Sequence, residues 1–313
     1  MAPRWKWRSG SPNFDRSRSP TAPTVDRVIP SPRLVRTAAG TLAVREWPSD
    51  GRTPLVFWHA LGPCASGAEL VELAPRLAAH GIAPVSVDGP GFGASPPATA
   101  YDLESLANLL RATIRELQLD RPVLMGHSWG GGVVTTLAAL HPDETRGLVL
   151  VDSGHLDYAD LDSARNSAPP MQWEWESRDA FTAWLEENLE RPTPEVLAGY
   201  GAGVLDRDDR VIGSSADSLL RARDGLLDSL SSRWPALAGV PVLLLLATQP
   251  PHGDENREHL PTFQAAVPHA DVRWVDGAGH GVIADAGPRL GDEIGEWFVA
   301  RAAAGAGRPA TSG

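Results

Sequence analysis

The chain has 313 residues, 28 Lys and Arg against 39 Asp and Glu for a formal charge of −11, and 42% hydrophobic residues. That composition supports a substantial core and excludes a wholly disordered or collagen-like chain, while the acidity argues against a nucleic-acid partner. The single cysteine, Cys64, excludes an internal disulfide, and no apolar run approaches the roughly 18 residues that a membrane span needs.

Residues 1–32 hold six basic and two acidic residues and are rich in Ser and Pro. They show no apolar periodicity, which predicts a disordered N-terminal extension. The segment lacks the continuous apolar stretch of a secretory signal, so a cytoplasmic protein is expected. From residue 33 order sets in. Leu34–Val35 and Leu42–Val44 flank Gly40 as a short hairpin. Apolar runs at 54–58, 83–87, 123–125, 147–151, 242–246 and 272–275 read as strands, and 67–79, 102–118, 129–140, 254–267 and 286–303 as helices. Strand and helix take turns, and the strands are apolar throughout. This predicts an α/β fold with a mostly parallel, doubly wound sheet covered on both faces.

The strand at 147–151 and the next at 242–246 are separated by far more chain than a crossover requires. With its tryptophans and helix-prone acidic segments, 157–236 is expected to be a helical lid inserted between core segments 33–156 and 237–306. An insertion at a strand end stands over the edge where open α/β sheets bind ligands.

Gly126-His127-Ser128-Trp129-Gly130 follows one strand and opens a helix. The pentapeptide alone is a weak signal, but a serine on a sharp strand-to-helix turn needs small neighbours and presents its hydroxyl as a nucleophile. A serine hydroxyl reacts only when a base takes its proton. His280, in Asp276-Gly277-Ala278-Gly279-His280-Gly281 after the last strand, is the candidate base. His80, His127, His141, His252, His259 and His269 read as surface or capping residues.

The chain resembles the α/β-hydrolase fold superfamily from about residue 33 to the C-terminus. The markers are His59-Ala60-Leu61-Gly62, Asp88-Gly89-Pro90-Gly91-Phe92-Gly93-Ala94-Ser95, the Ser128 turn and His280, in family order and each after a strand. The resemblance implies a nucleophile, an acid and a histidine, with an oxyanion hole formed by the amides of Leu61 and Trp129. It departs in two places. The family usually has His-Gly where this chain has His59-Ala60, and its acid commonly follows the strand after the lid, where this chain has Thr248-Gln249-Pro250-Pro251. Asp152, at the end of the 147–151 strand, is the first candidate acid and Asp254 the alternative. The Asp88–Ser95 turn is expected to be structural.

Met171, Trp173, Trp175 and Trp184 are candidate substrate-binding residues of an apolar pocket, although packing of the insertion against the core is the simpler use for them. Asp208-Asp209 and Asp254-Glu255 lack spaced His or Cys partners, so no metal and no cofactor are expected. The expected activity is hydrolysis of a small, apolar carboxylic ester or lactone through an acyl-enzyme on Ser128. Serine at the turn argues against the epoxide hydrolases and haloalkane dehalogenases, which need a carboxylate there. Amide hydrolysis (an aminopeptidase included), carbon–carbon bond hydrolysis, and ligand binding without catalysis stand as alternatives.

Overall fold

The computed structural model describes residues 29–157 and 173–306. Up to residue 28 the expected N-terminal extension lies outside the described residues. Eight strands form one sheet: β1 (Arg33–Thr37), β2 (Gly40–Glu46), β3 (Thr53–Trp58), β4 (Ile82–Asp88), β5 (Val123–His127), β6 (Gly147–Val151), β10 (Val242–Ala247) and β11 (Asp271–Val275). Their order is β1-β2-β4-β3-β5-β6-β10-β11, and β2 alone runs against the others. The remaining strands, β7 to β9, belong to the insertion.

The apolar strands in the middle of the sheet are buried on both faces, as the parallel arrangement requires, whereas the edge strand β11, expected to be apolar throughout, is half-exposed because among the described residues no strand covers its outer side. In β5, β6 and β10 every residue is buried. Val56 and Trp58 of β3 point into the core shared with α2 (Leu103–Glu116) and α3 (Trp129–Leu140). Leu55 and Phe57 of the same strand point into the opposite core, under α1 (Ala74–Ala79) and the C-terminal helix.

One expected helix is interrupted, and one begins two residues later than its pattern implies. The 67–79 segment is a 3-10 turn, Gly67–Val71, followed by α1, which begins at Ala74 with Pro75 in its first turn; a residue without an N–H starts a helix well and continues one badly. The helix expected over 286–303 is α9 (Pro288–Ala306); a short α8 (Val282–Ala286) precedes it and ends at Gly287, whose φ of +57° closes one helix before Pro288 opens the next.

The insertion is not purely helical. Besides α4 (Arg178–Asn188), α5 (Pro194–Gly201) and α6 (Ala216–Gly225), it carries a three-stranded antiparallel sheet of β7 (Glu174–Trp175), β8 (Leu205–Arg207) and β9 (Arg210–Ile212). Strands of two or three residues are too short to show an alternating pattern, so the sequence carries no signal for them. After a 3-10 segment, Ser231–Gly239, the chain re-enters the sheet at β10 and continues through α7 (His252–Ala266) to β11. Among the described residues no helix is long and apolar enough to cross a membrane.

Candidate active site

The chain runs from β3 outward to β4 and then returns across β3 to β5. The crevice between the carboxyl ends of β3 and β5 is therefore a topological switch point, the place where open α/β sheets admit ligands. Leu61 follows β3 and Ser128 follows β5, so the two loops flank that crevice.

Ser128 has φ +52° and ψ −116°, a strained conformation for a residue with a side chain. The surrounding glycines make it attainable. A Cβ on Gly126 would stand 2.3 Å from the carbonyl oxygen of Gly130, and one on Gly130 would stand 2.1 Å from that of Trp58. The Ser128 amide donates to Val151 O (3.2 Å) and the Gly130 amide to His59 O (3.2 Å), which ties the turn to both neighbouring strands.

Ser128 Oγ lies 2.8 Å from His280 Nε2, and His280 Nδ1 lies 2.6 Å from Asp152 Oδ2. A carboxylate only accepts, so Nδ1 carries the proton and the Nε2 lone pair faces the serine hydroxyl. The other Asp152 oxygen accepts from the Ala247 amide (2.9 Å) and from Asn256 Nδ2 (2.6 Å). Burial alone would raise the pKa of Asp152. The hydrogen bond and charge of His280, with those two donors, outweigh it and hold the carboxyl well below the usual carboxylate range. Burial lowers the pKa of His280; Asp152 opposes this, and His252 and His127 reinforce it.

Asp254 stands elsewhere. Its side chain is 70% exposed in the first turn of α7 and pairs with Arg257 at 3.2 Å, while Asp152 is buried. Where the family commonly carries its acid, this chain braces the histidine loop instead. The Thr248 and Gln249 amides both donate to Ala278 O, and Gln249 Nε2 donates to Gly277 O at 2.6 Å.

Trp129 is the first residue of α3, where an N–H has no acceptor within the helix. Leu61 is half-buried beyond Ala60, and Ala60 lies outside the left-handed region, so alanine in place of glycine introduces no backbone strain there. His59 donates from Nδ1 to Ala60 O (2.6 Å) and accepts at Nε2 from the Gly89 amide (2.8 Å); burial lowers its pKa, consistent with a neutral ring. Asp88 forms a buried ion pair with Arg45 and accepts from the amides of Gly67 (2.8 Å) and Ala94 (2.9 Å). Its role is structural.

The tryptophans divide. Trp175 packs against Phe181 (4.7 Å between ring centroids) and Trp184 (5.2 Å), in a cluster that also holds Cys64. These two tryptophans build the insertion's own core and its contact with the sheet domain. Trp173 packs on the α2 and α3 side of the main core, and Met171 lies outside the described residues. Cys64 is buried and its thiol is pushed up to about 12, so it supplies no nucleophile.

Three features escaped the sequence reading. Asn256 is buried and bridges Asp152 to His155 Nε2, which lies 2.9 Å from its Oδ1. His252 and His127, expected at the surface or in caps, flank His280 with ring centroids at 4.3 Å and 5.5 Å. Asp152, His252 and His280 each bring a polar atom within 4.8 Å of the others. The two imidazoles are stacked 20° from parallel, however, and ring lone pairs lie in the ring plane, so an ion lying in the plane of one ring is out of the plane of the other.

The model of the alpha/beta hydrolase family matches residues 55–290. The chain belongs to that family. This alpha/beta hydrolase is 28% identical over 223 residues to haloalkane dehalogenase 2 of Mycobacterium tuberculosis, covering 68% of the chain and 78% of the relative. It is 30% identical over 189 residues to the 2-(acetamidomethylene)succinate hydrolase of Mesorhizobium japonicum, covering 58% of the chain and 66% of the relative. Among solved structures, that of E-2-(acetamidomethylene)succinate hydrolase superposes with a TM-score of 0.69 at 24% identity, over 86% of this chain and 98% of the other. At that identity the superposition bears on the fold alone.

Proposed function

We propose that this hydrolase cleaves small carboxylic esters or lactones through an acyl-enzyme on Ser128. The observation that carries the reading is the unbroken hydrogen-bonded series from Ser128 Oγ through His280 to Asp152, with the serine held at positive φ. Ser128 Oγ attacks the carbonyl carbon as its proton passes to His280 Nε2, and the amides of Leu61 and Trp129 stabilise the oxyanion. The carbon–oxygen bond to the leaving alcohol then breaks as Nε2 passes that proton on to the departing alkoxide oxygen. Water attacks the acyl-enzyme, gives a proton to His280, and Ser128 recovers it as the acid departs. Asp152 holds the tautomer and stabilises the imidazolium. Serine at the turn disfavours the dehalogenase chemistry named for one relative, since that chemistry requires a carboxylate nucleophile at this position. The insertion over the sheet edge serves in this reading as a lid, with Trp173 the described aromatic candidate for contact with the acyl or alcohol group.

A second reading, amide hydrolysis by the same groups, is favoured by one observation, the similarity to a relative named as an acetamidomethylene-succinate hydrolase. Intact-mass detection of a fluorophosphonate adduct on the wild type, and its absence on Ser128→Ala, tests the nucleophile. Parallel turnover of p-nitrophenyl esters and the matching anilides separates ester from amide preference. A folded wild-type protein that forms no adduct and turns over neither series would overturn the proposal.

A further inference from the structure

His280 sits on a loop with glycine at 277, 279 and 281, and Gly277 has φ +76°. Such a backbone is intrinsically loose, yet Nε2 must stay within hydrogen-bond reach of Ser128. Thr248 and Gln249 brace the start of the loop and Asp285 accepts from the Gly279 amide, but at His280 itself the grip on the backbone comes from behind the nucleophile: His127 Nε2 lies 2.7 Å from the backbone carbonyl oxygen of His280. A carbonyl only accepts, so Nε2 carries a proton. The other nitrogen, Nδ1, lies 3.3 Å from Glu69 Oε2, and the two side chains are 5% and 6% exposed. Sequence reading took His127 for a surface or capping residue and gave Glu69 no role.

We propose that the buried Glu69–His127 pair is the positioning element for His280: it holds the imidazole over Ser128 by fixing the backbone carbonyl of the loop. The proposal rests on the reading of Ser128 and His280 as nucleophile and base. His127 is bonded directly to Ser128 in the chain, so a single residue is rigid with the nucleophile and clamps the base. Glu69 is fixed in turn. It belongs to the 3-10 turn Gly67–Val71, whose first amide, that of Gly67, is held by the buried Asp88–Arg45 pair. The Asp88 turn thus reaches the site through Glu69 rather than by touching substrate.

Electrostatics agree with this arrangement. Burial works against protonation of His127, but the hydrogen bond and charge of Glu69 outweigh it and raise its pKa. Asp152 acts in the same direction, and Asp285 of α8 lies close enough for the His127 charge to act on it. Tyr200 of α5 and Glu72 line the same cavity beside His127, with Glu72 already engaged by Arg191 and Thr193. Around His280 stand Asp152 from the loop after β6, His252 from α7 with Glu255 beside it at 3.4 Å, and His127 itself. A cationic His127 disfavours protonation of His280, so loss of that charge moves the His280 midpoint upward.

The test uses full-length wild type, His127→Leu, His127→Gln and Glu69→Gln. It reads the pH dependence of the fluorophosphonate labelling rate, the His280 titration by imidazole NMR, and Tm. Leucine removes donor and charge, and is expected to slow labelling about ten- to hundredfold through misplacement of the base. Glutamine at 127 keeps a donor for the carbonyl and is expected to recover most of that rate, while both glutamine variants raise the His280 midpoint. Should the leucine variant not fold, Glu69→Gln alone carries the charge test. Wild-type rates and an unchanged His280 midpoint in these variants, or a rate loss that follows Tm equally in leucine and glutamine, would overturn the inference. Absence of any adduct on the wild type would instead count against the nucleophile reading, and the NMR midpoint would still decide this one.

Discussion

Asn256 donates its side-chain amide to Asp152 Oδ1 at 2.6 Å, on the carboxylate oxygen that His280 does not use. Both residues are buried, and the amide also donates to Ala247 O at 3.1 Å. The orientation of this amide follows from its partners, since two acceptors face the nitrogen while His155 faces the oxygen. The loop after β6 and helix α7 are thereby joined beneath the histidine. Removal of the amide leaves a buried charge short of a donor. Asn256→Ala is expected to lower unfolding free energy by about 1.5–3 kcal/mol and to reduce kcat, as measured by urea denaturation and ester turnover on the same preparation.

Asp152 and Asp254 separate cleanly by substitution. Asp152→Asn leaves the shape intact but presents the wrong tautomer of His280 to the serine, and kcat is expected to drop by about 10⁴-fold. Asp254→Asn removes an exposed surface pair and is expected to leave kcat within twofold or so of wild type. Steady-state kinetics on one ester decides the matter, and equal small losses in both variants would remove Asp152 from its assigned role.

The pH profile follows from the direction of the His280 shift. The base acts only when neutral, and its pKa is lowered from the ordinary 6.5. kcat/KM is therefore expected to stay level through neutral pH and to fall along a limb whose midpoint lies below 6.5. Asp152 remains ionised throughout that range because its own pKa is held far lower. A limb centred above 6.5 would mean that Asp152 outweighs the desolvation of His280 and would overturn this expectation.

Arg45 and Asp88 form a fully buried ion pair that reaches from β2 to the end of β4. Removal of one partner strands the other charge in the core. Arg45→Met is expected to destabilise the fold by about 3–5 kcal/mol, read as a lower denaturant midpoint. The double variant Arg45→Met with Asp88→Leu should recover part of that loss, because it leaves no uncompensated charge.

The fold class, and the Ser128 and His280 turns proposed here as nucleophile and base, were legible in the sequence because each is written in a short stretch of chain. Apolar runs alternating with helix-length segments specify a covered parallel sheet. Glycines at 126 and 130 around Ser128 mark a backbone that tolerates no side chain at those points, and the strand before it and helix after it follow from local pattern. His280 was found the same way, from glycines after the last strand.

For the proposed acid the sequence put Asp152 ahead of Asp254 by a slim margin only. Asp152 and Asp254 both follow strands, and nothing within a few residues of either says which carboxylate turns toward a histidine far along the chain. Pairing of β6 with β10 places Asp152 under the ring, whereas the first turn of α7 turns Asp254 to solvent. Glu69 and His127 are likewise 58 residues apart, and Asn256 and Asp152 are 104. Contacts of this kind exist only once the sheet has set the register of its strands, because their partners are selected by distance in space and by the need of every buried polar group for a complement.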